Sequence, residues 1–284
     1  MSDKSILFMH DLGPQTASFR YRAQMPAEQV SRHNGFKTAL NQDGEYDIVV
    51  VAKPTKGTVP IAEQAKKDGA KIVVDFSDDH FTDEHKAKYA AMAQIADHIV
   101  VASDVMRTRI QRYLDCDATV IPDPYEQPEF APHADGDDYL WFGHQSNFQD
   151  LVPHLWMFKD RKLRVLTGPK ELPHTTVWTP ENMVKMFAQS NIAVFPTRSG
   201  AEFKSANRLL NTIRAGCFPI CQQHPAYMEF RPFIWVGDMN TGLKWSAAFK
   251  QDLNDCVAAA QDYIRDRYSP ETLGKKWADM LEGI

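Results

Sequence analysis

Three runs constrain this chain more than anything else in it: YDIVVVA at 46–52, KIVVD at 71–75 and DHIVVAS at 97–103. A strand with one wet face alternates apolar and polar residues, whereas these are apolar and β-branched almost throughout. They belong in a parallel sheet covered on both sides. Helical patterns separate them, at 60–68, 85–96 and 104–114, the last with Ser103 placed to cap its amino end. A strand signal at 5–9 and a helix at 24–34, closed by Gly35, come before; a strand at 118–121 follows. Five strands alternating with helices predict a doubly wound α/β domain over residues 1–122.

From 122 to 138 the text changes to four prolines among acidic and short polar residues. Proline lacks the N–H a central strand needs, so 123–138 reads as a linker. A second α/β pattern occupies 139–268. Its strand signals fall at 139–142, 163–167, 176–178, 191–196, 218–221 and 233–236, with a helix at 180–190. A last helix, 269–281, spaces Leu273, Trp277, Met280 and Leu281 along one face.

At 284 residues and 43% hydrophobic content the chain can build two ordinary cores. A net charge of −5 gives no general reason to expect nucleic acid. The four cysteines have no metal-type spacing and read as reduced thiols of a cytoplasmic protein. The apolar run near the start covers only 6–9, too short for a signal peptide, and nothing approaches the roughly 20 apolar residues of a membrane span. Peripheral contact with a membrane stays open.

The most chemical stretch is FPTRSGAEFKSANRLLNTIRAGCFPICQQHPAY, 195–227. A strand ends at Pro196, and a loop carries Ser199 and Gly200. A helix expected over 204–215 places Lys204, Asn207, Arg208 and Asn211 on one face, with Ala206, Leu209, Leu210 and Ile213 opposite. Gly216 falls where a left-handed helix-ending residue belongs. Cations and loop amides at a helix start suit a phosphate-bearing ligand. A solvated helix face is the alternative.

The stretch resembles the donor-sugar segment of GT-B glycosyltransferases, especially the retaining, glycogen-synthase-like group. Pro196-Thr197, Glu202, Ala215-Gly216 and Pro219-Ile220 stand in that group's places. Its second glutamate falls near Asn211, and one extra residue separates Gly216 from Pro219. The resemblance implies two Rossmann-like domains with a cleft between them. Residues 1–122 would then form an acceptor domain joined by the closing helix, 269–284, and residues 139–268 the donor domain. It also implies roles. Gly143, His144 and Asn147 would face the donor diphosphate, with Gly168, Ser205 and Asn207 nearby. Trp178-Thr179 would lie beside the nucleotide base. Lys204 and Arg208 would stabilise charge on the leaving diphosphate.

In the first half, Gly13, Arg20 and Arg22 follow the first strand, and two guanidiniums suit a phosphate or an anionic acceptor; a solvated helix start is the alternative. Asp75, Asp78, Asp79 and His80 suggest Mg²⁺, but enzymes of the resembled fold manage the diphosphate with cationic side chains and helix ends, so no metal is expected. Asp78, Asp79, His80 or His10 could instead orient an acceptor hydroxyl as a base. The implied function is metal-independent, retaining transfer of a hexosyl group from a nucleoside diphosphate sugar to a glycan, lipid or small-molecule hydroxyl. No cofactor is expected beyond that co-substrate. A sugar-nucleotide epimerase and a non-catalytic nucleotide-sugar or glycan binder are the alternatives.

Overall fold

A computed structural model describes residues 3–33, 35–126, 129–168, 175–197 and 202–284. Its contacts divide the chain into unit 1, Met1–Pro124 with Phe203–Ser205 and Tyr268–Ile284, and unit 2, Tyr125–Glu202 with Ala206–Arg267. Residues 72 and 165 lie in separate sheets.

Unit 1 holds β1 (Lys4–Met9), β2 (Phe36–Leu40), β3 (Ile48–Ala52), β4 (Lys71–Phe76), β5 (His98–Val101) and β6 (Thr119–Val120). They form one sheet in the order β2-β1-β3-β4-β5-β6, every pair parallel. Side chains alternate across a strand, and here both faces are buried. Leu7, Val49, Val51, Ile72 and Val74 enter one core, while Ile6, Phe8, Ile48, Val50 and Val73 enter the other. The second core is closed by Trp277 and Leu281 of the helix Pro270–Glu282. That helix approaches Met25–Val30 so closely that a Cβ at Gly274 would stand 2.2 Å from Cβ of Gln29. Ser103 caps Asp104–Leu114 as its position suggests, accepting the N–H of Met106.

The strand β2 is absent from the sequence-based expectation. It is an edge strand, paired on one side and half-buried, so it lacks the continuous apolar run of its neighbours.

Unit 2 holds β7 (Asp138–His144), β8 (Lys162–Gly168), β9 (Thr176–Val177), β10 (Ile192–Phe195), β11 (Phe218–Cys221) and β12 (Trp235–Val236). The sheet runs β12-β11-β10-β7-β8-β9, again parallel. Tyr139, Trp141, Ile192, Val194, Phe218 and Ile220 pack on one face against Met239, Leu243, Leu253 and Val257. Those four come from the helices Met239–Ala248 and Lys250–Arg265; Asp238 caps the first by accepting the Thr241 N–H, whereas the second has no side-chain cap at its start.

The proline-rich segment is not a free tether. Tyr125 donates its hydroxyl to the Arg265 carbonyl, Ala131 N–H bonds to Arg214 O, and His133 Nδ1 meets Gly216 O at 2.8 Å. Gln261 Nε2 donates to both Ala131 O and Ile213 O. Gly216 has φ +78°, and a Cβ there would strike the carbonyls of Pro132 and Ala131. Only glycine satisfies both demands.

Among the described residues no helix is long and apolar enough to cross a membrane, and all four cysteines are free thiols. Burial pushes the Cys217 thiol up to about 12, so it stays protonated at neutral pH.

Candidate functional site

Ligands of open parallel sheets bind outside the carboxyl ends of the strands, where the strand order reverses. In unit 2 the chain leaves β7 toward β8 and β9, then returns to β10 on β7's other side, so the reversal lies between β7 and β10. Gly143 and His144 end β7 there, and Pro196 and Thr197 follow β10. Arg208 converges on the same place from the helix Asn207–Arg214. Its Nη1 donates to the Phe142 carbonyl at 3.3 Å, and its guanidinium lies 5.2 Å from the Phe195 ring centroid. A Cβ at Gly143 would stand 3.3 Å from that Nη1, so the missing side chain leaves room for the arginine. The buried Tyr227 phenol is raised by desolvation, and Arg208 beside it pulls the other way. A carbonyl, an aromatic face and a phenol thus fix one cation at the reversal point.

The helix begins at Asn207, three residues later than expected, and Lys204 precedes it rather than sharing its face. Asn211 is buried and structural: its Oδ1 accepts the Glu126 N–H, and its Nδ2 donates to Asn207 O. Glu202 is exposed; Ser199 and Gly200 lie outside the described residues. His144 is exposed, its Nδ1 accepting the Ser146 N–H, and Asn147 ends the short turn after it. Gly168 closes β8 opposite His144. The Trp178 indole N–H is directed to Met183 Sδ, and Thr179 caps Pro180–Ala188 by accepting the Asn182 N–H. Thr179 therefore has a sufficient structural role.

Unit 1 reassigns more of the expected residues. Arg22 is 1% exposed and makes a bidentate pair with Asp75, at 2.5 and 2.9 Å, while Nη1 donates to Ile121 O and Asp123. Enclosed and engaged, it does not face a phosphate or an acceptor. The Asp79 side chain is 5% exposed; its Oδ2 is bound by Arg109 at 2.6 and 3.0 Å and its Oδ1 accepts the Phe81 N–H, so both oxygens are engaged. His80 Nδ1 is held by Asp83. Asp78 pairs with Lys53 at 2.7 Å. Although desolvation opposes it, Lys53, with His80 and Lys204, holds the Asp78 carboxyl below its usual range. Asp75, Asp78 and Asp79 thus face Arg22, Lys53 and Arg109, which does not fit a shared Mg²⁺. Arg20 Nη1 bonds to Pro14 O, and Gly13 O accepts from Thr16. Ser205 donates to Asp123, and Phe203 lies under the Arg109 guanidinium.

His10 directly follows β1 and is almost completely buried, at 2% exposure. Its Nδ1 accepts the Leu12 N–H, so the proton sits on Nε2, and desolvation, helped by Lys53, lowers its pKa to about 4. At neutral pH it is an uncharged donor, not the base its position suggested. Lys53, Arg109 and Tyr227 were not anticipated. Only Lys53 carried a sequence signal, as the first charged residue after β3.

No family model matches the chain, and no curated protein matches it in sequence. Solved structures do match in fold. Apo OtsA superposes with a TM-score of 0.70 at 8% identity, covering 99% of each chain. A UDP-GlcNAc 2-epimerase from Neisseria meningitidis, bound to UDP-GlcNAc, gives 0.62 at 8% identity over 99% of this chain and 100% of that one. A mutant TarM of S. aureus, in complex with fondaparinux, alpha-GlcNAc-glycerol and UDP, gives 0.61 at 12% identity, covering 82% of this chain and 55% of that one. Taken with the two six-stranded parallel sheets, these matches identify the architecture as the GT-B fold of two Rossmann-like domains.

Proposed function

We propose that the chain is a glycosyltransferase, moving a hexosyl group from a nucleoside diphosphate sugar to an acceptor hydroxyl. The observation that carries the reading is Arg208, a cation fixed at the strand reversal of unit 2 beside the glycine that ends β7. A diphosphate leaving group gains negative charge as its bond to the sugar breaks, and a preorganised cation stabilises that charge. The amino end of Asn207–Arg214 adds partial positive charge in the same place. UDP and UDP-GlcNAc in two of the neighbours make UDP-sugars the first donors to try. Transfer without a metal and with retention at the anomeric carbon follows the resemblance of the 195–227 segment.

The test is a donor panel of UDP-, GDP- and ADP-sugars, scored by nucleotide release with water as acceptor. Wild type should hydrolyse at least one slowly. Arg208→Ala should lower turnover about 10²-fold, equivalent to ~2.7 kcal/mol of transition-state stabilisation. Lys204→Ala should lower it less, because Lys204 lies off the helix. Tight donor binding without turnover would leave a non-catalytic binder. The full-length match to a UDP-GlcNAc 2-epimerase favours one second reading, epimerisation. Solvent deuterium appearing at C2 of recovered UDP-GlcNAc would select it over transfer.

A further inference from the structure

Parallel sheets of this kind bind their ligands at the carboxyl ends of the strands, yet a cavity of about 260 Å³ opens at the other edge of unit 1. There β5 begins at His98, β6 begins at Thr119, and the helix Lys86–Ile95 ends. The volume falls below the roughly 300–1,000 Å³ of drug-sized sites, so the space suits a small compound and excludes a nucleotide sugar. Its lining is one-sided in charge: Asp97 and Asp117 contribute carboxylates, and no lysine or arginine lines it. Asp97 is already engaged, because its Oδ2 accepts the Ile72 N–H and meets Lys66 at 3.2 Å. Asp117 is not. Its Oδ1 accepts the Ala118 N–H, and its Oδ2 has no partner among the described residues. His98 Nε2 lies 2.9 Å from Thr119 Oγ1, and donation there leaves Nδ1 as an acceptor. Burial lowers the His98 pKa although Asp117 opposes it, so the ring is uncharged at neutral pH. The last carbonyls of a helix lack intrahelical donors and carry partial negative charge, and Ala93 and Ala96 bring that end of Lys86–Ile95 to the cavity. One ammonium already reads this helix end: Lys66 Nζ donates to the Ile95 carbonyl at 2.5 Å.

We propose that this cavity is a ligand site for a small organic cation, a primary amine whose ammonium pairs with Asp117 and whose carbon chain lies against Ala93, Ile99 and Ala118. An ammonium offers three donors and no acceptor, which matches a lining of carboxylate, imidazole nitrogen, hydroxyl and helix-end carbonyls. An anion would meet the Asp117 charge and the negative end of the helix with no cation in the lining to offset them. A bare metal ion fits less well, because among the described residues no three His, Cys, Asp or Glu side chains are grouped to hold one. The site is independent of the transferase reading, since it lies at the strand edge away from Gly143, Arg208 and the other residues assigned to transfer.

Cys116, on the cavity wall, supplies the readout. Its thiol is half-buried and raised by burial and by Asp115, so alkylation is slow and a bound compound slows it further. The full chain is labelled with iodoacetamide at mildly alkaline pH, and peptide mass spectrometry follows Cys116 against Cys256, a half-buried thiol of unit 2 that serves as the internal control. The probes are ethanolamine and 1,4-diaminobutane, with 1,4-butanediol and succinate as neutral and anionic compounds of the same chain length as the diamine. At least one amine should protect Cys116 saturably and leave Cys256 unchanged, while the diol and succinate protect neither. Asp117→Asn keeps the acceptor for the Ala118 N–H and removes the charge, and it should raise the amine's Kd about tenfold or more, the loss of one charge-assisted bond. Thr119→Val should raise it about threefold. Ala93→Leu puts a longer side chain into the cavity and should abolish protection; Asp117→Asn, at an exposed position, carries the test if that variant does not fold. The proposal fails if neither amine protects Cys116, if the diol protects as well as the diamine, or if Asp117→Asn leaves the Kd unchanged.

Discussion

Arg22 and Arg208 look alike in sequence, each a cation near the end of a strand unit, but their surroundings separate them. Arg22 meets Asp75 and Asp123, which lie 53 and 101 residues away, and no local pattern announces partners at that range. Removing one member of a buried pair leaves the other charge uncompensated. Arg22→Met should therefore destabilise unit 1 by about 3–5 kcal/mol in urea unfolding; a change below about 1 kcal/mol would show the network to be dispensable. His10 gives a pH prediction. Its folded pKa is near 4 against 6.5 unfolded, so between those values the unfolded chain binds more protons. Stability should fall as pH drops from about 6.5 to 4, by up to ~1.4 kcal/mol per pH unit. The charged groups facing His10 are Lys53, Asp11 and Asp78. His10→Phe should flatten the midpoint-versus-pH curve over that window, and an equally steep curve would assign the loss to other groups.

Among the elements, legibility tracks burial. Strands β3, β4 and β5 are covered on both faces, so their apolar content exposes them in the sequence; β2 pairs on one side, is half-buried and carries no such run. The start of Asn207–Arg214 was misplaced because polar periodicity runs back through Lys204, while the first i→i−4 bond is Leu210 N–H to Ala206 O. Periodicity reports a face, not where hydrogen bonding begins. The segment at 123–138 misled for a related reason. Proline excludes it from a sheet, yet nothing in its composition says that Gln261, far along the chain, will bind its carbonyl. Gly143 and Arg208, singled out separately from the resemblance, converge on one strand reversal, whereas Arg22 and Asp79 meet partners that only the fold reveals. Gly216 was legible, and its two constraints give the prediction at this scale. Gly216→Ala must hold a left-handed backbone and push into two carbonyls, so a loss of more than about 1–3 kcal/mol is expected for unit 2. A thermal melt within about 1 °C of wild type would refute it, since 1 kcal/mol moves a domain of this size by several degrees.

At the scale of the molecule, unit 1 depends on chain from both ends of the sequence. Leu273, Trp277 and Leu281 are buried, and the latter two enter the core that contains Ile6, Phe8 and Val50. Phe8 meets the Trp277 ring edge-on at 6.0 Å, and Lys4 donates to the last carbonyls of the helix. Burial of three such side chains contributes about 1.5–3 kcal/mol each, a sum comparable with the whole stability of an ordinary domain, ~5–15 kcal/mol. We therefore expect a fragment of residues 1–124 to lack a cooperative melt, and a peptide of residues 268–284 to restore it. The readout is direct, because residues 1–124 contain no tryptophan and the peptide brings only Trp277. Its fluorescence should shift to the blue on mixing, saturably, and a peptide with Trp277→Ala, followed by circular dichroism, should not restore the melt. Residues 125–267 contain their own sheet and its covering helices, so that fragment should melt cooperatively alone. A cooperative melt of 1–124 without the peptide, unchanged when it is added, would mean that the closing helix only decorates a core already complete.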